Sequence, residues 1–464
     1  MSVGLQMQHH GSPGREPRLL YPPPCSLAVA VASPRIQVLG RLGCAHEAAR
    51  TGVLSRRWRG LWTELRELKF EGADADVLQT ALARVRPNLS CLDISVCNLT
   101  GAQITSLLRA ADRLAPAELV VCLVGDHYSP DRVHFEIPCF TSATSMDLSL
   151  WRLDFTLAPA GEFASLEQLT LTLSFCVVDL GVLLSRCPRL RKFNMNIGIF
   201  RRVDPVVIDS KSLEELTFSM YTNGPADVVI VTPELKKSNL EFHMSDDLTL
   251  SHSAPKLEFL FEHTWKHPKV GFGGNKWRLW TLRMGTQWSE RNGGHAGVRV
   301  HVLSLWIGPN NDRFIANRSF AQEIADLPVT SFSVLELYLR PEGHVFGALV
   351  LQLLRIRSSI QRLTLVLFKK RFPQCSENCD CDQDRNWRNQ HISLPHLEDV
   401  EIQGFCAADH EVDFLELVFR SAPNLKRMNV KLSEEVSPSD GGCQKLCSIF
   451  EANATVKCNV YVKS

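Results

Sequence analysis

An imbalance of charge is missing from this chain. Its 51 Lys and Arg stand against 50 Asp and Glu, a net charge of +1. No overall field therefore draws it to nucleic acid or to an anionic membrane surface, and the expected partner is a protein. Long apolar runs are missing as well: nothing approaches the roughly 18 residues of a membrane span. The nearest stretch, Leu27 to Ala32, is cut off from Arg15 and Arg18 by three prolines, Pro22 to Pro24. Residues 1–32, mostly Gly, Pro, His and Arg without apolar periodicity, read as a disordered leader rather than a signal peptide.

The short motifs of covalent chemistry are absent too. There is no H-E-x-x-H and no G-x-S-x-G, and Gly271-Phe-Gly273-Gly274-Asn-Lys276 lacks the spacing that wraps a phosphate. No catalytic residue and no cofactor are expected. The fifteen cysteines are an odd number scattered along the chain, unlike a small-domain disulfide framework, and point to a reducing compartment, cytoplasm or nucleus. Cys375, Cys379 and Cys381, with His391 or His396, form the one metal-like cluster. C-x3-C-x-C is not a zinc-knuckle spacing and no second cysteine pair lies nearby, so no metal is assigned. His9-His10 lacks further ligands. Asp409, His410, Glu411 and Asp413 read as the first turn of a helix that Asp409 caps and whose Phe414, Leu417 and Val418 face the core.

What is present is a repeat. Leu166-Glu-Gln-Leu169-Thr-Leu171 carries apolar residues at positions 1, 4 and 6; in an extended segment the last two share one face and the residues between them point the other way. The spacing starts again at Leu65, Leu89, Pro116, Ala143, Leu190, Leu213, Leu235, Leu257, Leu279, Val302, Phe332, Ile360, Leu397 and Leu425, in steps of 22 to 37 residues. A period of roughly 20 to 29 residues with an L-x-x-L-x-L core is the leucine-rich-repeat signature. The predicted fold is an α/β leucine-rich-repeat solenoid, a parallel-strand horseshoe over residues 65–464, with a Cys-rich loop inserted at 371–396. Helices are expected at Ala102–Leu114 and Gly347–Ile356, where the linkers lengthen. The outward positions of the strands, such as Gln168 and Thr170, are where a solenoid binds. At the Leu257 repeat the outward set is Phe259, Phe261 and His263. Aromatic and arginine side chains anchor protein interfaces, so Phe259, Phe261, Arg283, Trp306 and Tyr338 are the candidates for contact with a target protein.

Before the repeats, Leu54, Trp58, Leu61, Trp62 and Leu65 draw an apolar stripe along one predicted helix, flanked by Arg56, Arg57 and Arg59. The stretch Val53-Leu-Ser-Arg-Arg-Trp58-Arg-Gly-Leu-Trp62 resembles the second half of a plant F-box, whose closing helix has the form V-L-S-[KR]-R-W-R-x-L-W. Further on, Asn386-Trp387, Leu397-Glu-Asp-Val400-Glu-Ile402-Gln-Gly404-Phe405 and Ala422-Pro-Asn-Leu425 are similar to segments of plant F-box repeat proteins. The L-P-D-x-[LI]-L opening of the family is replaced by Ala32-Ser-Pro34-Arg-Ile36-Gln. The resemblance implies a partial F-box-like helical module at 33–64 that docks on a Skp-type adaptor and through it a cullin. It would do so with Pro34, Ile36, Leu39, Leu42, Val53, Leu54, Trp58, Leu61 and Trp62. The chain would then be a non-enzymatic substrate-recognition subunit of a ubiquitin ligase. Two alternatives stay open: an adaptor-free binding scaffold, and a secreted repeat receptor. The latter rests on the glycosylation triplets at Asn88, Asn98, Asn317 and Asn453.

Overall fold

The structure, a computed structural model, describes residues 34–42, 45–50, 56–125, 133–175, 179–200, 205–244, 248–257, 260–266, 270–272, 276–289, 298–310, 318–319, 332–355, 359–368, 385–434, 436 and 441–462. It opens with helices α1 (Pro34–Gly40) and α2 (Ala45–Arg50) and a 3-10 turn, Leu61–Glu64. Strands β1 (Glu67–Glu71), β2 (Cys91–Cys97) and β3 (Glu118–Val124) follow, separated by α3 (Ala75–Leu82) and α4 (Gly101–Asp112). Next come β4 (Val133–Ile137), β5 (Ser145–Trp151), β6 (Leu153–Leu157), β7 (Gln168–Phe175), α5 (Leu180–Ser185), β8 (Lys192–Phe200), β9 (Val206–Asp209), β10 (Glu215–Thr222), β11 (Ala226–Val231), β12 (Lys237–Met244) and β13 (Leu248–Ser253). The central part holds β14 (Leu260–Lys266), β15 (Val270–Phe272), β16 (Trp277–Ser289), β17 (Val298–Pro309), β18 (Arg318–Ser319) and β19 (Val334–Leu339). The last rungs are α6 (Gly347–Leu354), β20 (Arg362–Leu367), β21 (Asp399–Phe405), α7 (Asp409–Ser421), β22 (Arg427–Leu432), α8 (Gly441–Ala452) and β23 (Lys457–Tyr461).

Among the described residues the repeat spacing becomes one 18-stranded sheet. Most frames place their strand two residues after position 1, as Leu166 does with β7, and in parallel register with the next: Leu169 beside Phe193, Leu171 beside Met195. Positions 1, 4 and 6 go to the core, Leu166, Leu169 and Leu171 each being no more than 3% exposed. Burying each such leucine contributes about 1.5–3 kcal/mol. The strands run on past the template, so Leu173, two residues further, is buried as well.

The return path of each repeat follows its length. A strand advances about 3.3 Å per residue and a helix 1.5 Å, so a short repeat can span the return only in extended form. The 22- to 23-residue repeats starting at Leu190, Leu213 and Leu235 accordingly carry β9, β11 and β13, which form a second, parallel three-stranded sheet. Several longer repeats carry helices, α4 and α6 standing where the lengthened linkers predict them. The second sheet falls on segments such as Ile208 to Ser212 that the sequence marks only as linkers.

Three expectations are corrected. The Leu279 frame forms β16, which runs antiparallel to both β14 and β17. Alternate burial has period 2 in either direction, so Leu282 and Met284 satisfy the template although the strand is reversed. The apolar stripe from Leu54 to Leu65 does not form one helix: residues 56–60 are a turn, Gly60 has φ 80, and the 3-10 turn begins after it. A left-handed glycine ends a helical segment. Finally, β23 adds a rung beyond Leu425, with Cys458 beside Met428 and Val460 beside Val430. Thr455 and Cys458 in place of leucines at positions 1 and 4 hide it in the sequence.

Candidate protein-interaction site

Residues at equal register on neighbouring strands stand about 4.8 Å apart on the same side of the sheet. On the solvent side this builds an aromatic group from four rungs. Trp306 on β17 and Tyr338 on β19 are register partners, and their rings stack at 4.3 Å with 3° between planes. Phe368, just past β20, continues the stack at 6.3 Å from Tyr338 and is 46% exposed. On β16 a register irregularity between Leu279 and Thr281 leaves Trp280 next to this group. Its indole lies against Gly308, where a Cβ would come within 2.7 Å of the ring. The Arg340 guanidinium covers the same indole, 4.9 Å from its centroid.

Polar residues frame the stack. Glu336 accepts hydrogen bonds from the Ser304 hydroxyl at 2.7 Å and the Tyr338 hydroxyl at 3.3 Å. Burial first, then the Glu336 charge, raises the Tyr338 phenol above its ordinary range, so it stays a donor. Arg283 on β16 pairs with Glu262 on β14 at 2.9 Å. Four rungs from Trp306 a second aromatic contact occurs: Tyr221 stacks on His243 at 4.0 Å. His243 also lies 3.2 Å from Glu241 and 3.3 Å from Lys266, and Lys266 pairs with Glu241.

Of the predicted contact residues, Arg283, Trp306 and Tyr338 thus occupy one solvent-facing area. The Leu257 repeat departs from expectation. One extra residue precedes β14, so its buried phase is set by His263 beside Leu240 and Trp265 beside Phe242. His263, expected outward, is 0% exposed and lies 3.1 Å from the Ser238 hydroxyl. Phe261 is the register partner of Ser238, and Phe259 lies outside the described residues. Arg340, Phe368, Tyr221 and Lys266 are not legible in the spacing because each lies beyond the six residues of its template, and Trp280, inside the Leu279 frame, because the register irregularity beside it is not encoded there.

In the N-terminal module Leu39 is buried at 1% exposure, and Trp58, Leu61 and Trp62 pack half-buried against the core at the first rung. Leu42, at 42%, and Val38, at 53%, face solvent from α1 and the turn after it. The backbone of Pro34 and Ile36 belongs to α1, while Val53 and Leu54 lie outside the described residues. So do the Cys375–Cys381 cluster and His9-His10.

The acidic run at α7 is structural, with one change of role. Glu411, not Asp409, satisfies the helix start: its Oε2 accepts from the backbone N–H of Cys406 at 2.7 Å and of Ala408 at 3.4 Å. Asp409 instead pairs with Lys445 at 2.8 Å, and Asp413 with Arg388 at 2.6 Å. Asn88 and Asn98 both have left-handed backbones, φ 68 and 57, and Thr100 caps α4 together with Gln103. Two of the glycosylation triplets are thereby accounted for by turn geometry.

No curated protein and no solved structure matches the chain. A family model does: the leucine-rich repeats of FBD-associated F-box protein At5g56370, over residues 105–274. That span runs from α4 to the β15 region, the part of the sheet in which strand follows strand at the shortest intervals. Over that span the repeats of the chain are similar to those of this plant F-box protein family.

Proposed function

We propose that the chain is the substrate-recognition subunit of a Skp-cullin-F-box ubiquitin ligase and acts in the cytoplasm or nucleus. The observation that carries this reading is the solvent-facing group of Trp280, Trp306, Tyr338, Phe368 and Arg340, which has the composition of a protein-interface anchor. Paired strands of one sheet hold these side chains at fixed spacing, so little entropy is lost when a target covers them. The module before β1 takes the adaptor, and among the described side chains predicted for this contact Leu42 is the most exposed. The remaining adaptor residues are Pro34, Ile36, Leu39, Val53, Leu54, Trp58, Leu61 and Trp62. In this role the chain positions a target for modification by other subunits and performs no bond chemistry itself.

The adaptor-free scaffold has its own support, since Leu39, Trp58, Leu61 and Trp62 already pack against the solenoid. The two readings separate in a pull-down of the full chain with purified Skp-type adaptor. Adaptor retention that is lost with Leu42→Asp supports the ligase subunit. A folded chain that retains no adaptor leaves the scaffold.

A further inference from the structure

Strand β3 differs from the other rungs in what it shows to solvent. After Glu118 its outward residues are Val120, Cys122 and Val124, all apolar, although the core side of the same strand is already filled by Leu119, Val121 and Leu123. Trp151 on β5 stands in register beside Val124 and is 43% exposed. The apolar area is therefore continuous across two rungs and is not needed to fill the interior.

Carboxylates flank it at the other end of the strands. Asp93 on β2 and Asp147 on β5 are the register neighbours of Val120 on its two sides, and Glu118 starts β3 itself. Burial pushes the Asp147 carboxyl up, with the charges of Asp93 and then Glu118 adding to the effect. Burial also raises that of Asp93, although Lys69 lies 3.6 Å away. Among the described residues no lysine or arginine reaches Asp147. Further along the face cations meet carboxylates strand by strand, as in Arg283 with Glu262 and Lys431 with Glu401. On β1, β2, β3 and β5 the outward charges are instead Glu67, Glu71, Asp93, Glu118 and Asp147, with Lys69 as the one cation on those strands.

We infer that β2, β3 and β5 form a second contact surface for a protein partner, taking an extended segment in which basic and apolar residues alternate. Its apolar residues cover Val120, Val124 and Trp151, and its lysine or arginine heads reach Asp93, Glu118 and Asp147. A long basic side chain suits the place because its stem lies on Val120 while its head meets a carboxylate. The inference rests on the reading of this sheet face as target-binding, and adds that the target carries a basic segment. That segment would sit eight strands from the aromatic group, roughly 40 Å away.

The test uses a short fluorescein-labelled peptide of alternating lysine and valine, titrated by anisotropy against the full chain at low salt, with a glutamate–valine peptide beside it. The lysine peptide is expected to bind and the glutamate peptide not. Asp93→Asn with Asp147→Asn should weaken binding at least about tenfold, as loss of a charge pair does. Val120→Ser with Val124→Ser should weaken it severalfold, while Trp306→Ala with Tyr338→Ala leaves it unchanged. The asparagine variant keeps side-chain shape and relieves like-charge repulsion, so an unaltered thermal melt confirms its fold. No binding of the lysine peptide, equal binding of the glutamate peptide, or indifference to the asparagine pair overturns the inference. Loss of target capture in the aromatic variant, alongside such a result, would leave the wider reading standing and this part of it failed.

Discussion

The indole of Trp306 and the phenol of Tyr338 lie face to face because both stand at the same register on adjacent parallel strands, β17 and β19. The stack is a consequence of the repeat: two rungs that bury Leu305 and Leu337 must bring the next residues together on the other side. Structure and recognition are thereby divided between alternate residues of one strand.

That division is measurable. Leu171→Ala, at a buried core position, should cost 2–5 kcal/mol of stability, whereas Gln168→Ala on the same strand should change it by less than about 0.5 kcal/mol. Urea unfolding followed by circular dichroism reads both. A small loss for Leu171→Ala would show that the rung does not depend on its core positions.

The aromatic group should behave the opposite way. Trp306→Ala and Tyr338→Ala each remove a half-exposed ring and a stacking contact worth about 0.5–1.5 kcal/mol, so the chain stays folded. Target capture should fall by more than about tenfold, the behaviour of interface anchors. Capture that survives both substitutions places the target elsewhere.

Acid should destabilise the repeats between β12 and β14. Burial pushes the His252 imidazole down to about 4 and holds that of His263 well below its ordinary value, where His252 adds to the effect. An unfolded histidine titrates near 6.5. As pH falls from about 6.5 toward 4, the unfolded chain binds protons that the folded chain does not, so stability is lost through that window. For His252 the loss from pH 7 to pH 5 is about 2 kcal/mol. Urea midpoints at the two pH values check this, and His252→Phe should flatten the slope.

Trp387 is the plug of the longest repeat. It is 1% exposed on the 3-10 turn Arg385–Asn389, and its ring fills the space above Gly347 at the start of α6, where a Cβ would collide with it. Trp387→Ala should cost about 3–5 kcal/mol. A melting temperature close to that of the parent chain would contradict the role.

Much of this was legible in the residues and some was not, for physical reasons. Leu166, Leu169 and Leu171 announce a strand and its buried face because side-chain alternation has a period of 2 that any apolar template records. The same template is blind to direction, which is why β16 reads like its neighbours. It is also blind to a single inserted residue, which is how His263 passes for a surface position. Arg283, Trp306 and Tyr338 could be picked out as outward aromatics and cations. Their assembly with Trp280, Arg340 and Phe368 depends on a register irregularity and on strand lengths that no spacing encodes. In the N-terminal module the residues that resemble an F-box were plain. That Trp58 and Trp62 pack on the first rung follows from a turn at Gly60 that the apolar stripe conceals.

The most direct measurement is reconstitution of the full chain with purified Skp-type adaptor and cullin, read by size-exclusion chromatography with light scattering. The expected result is a stoichiometric complex that Leu42→Asp abolishes and that Trp306→Ala with Tyr338→Ala leaves intact. A folded chain that elutes apart from the adaptor at micromolar concentrations would contradict it.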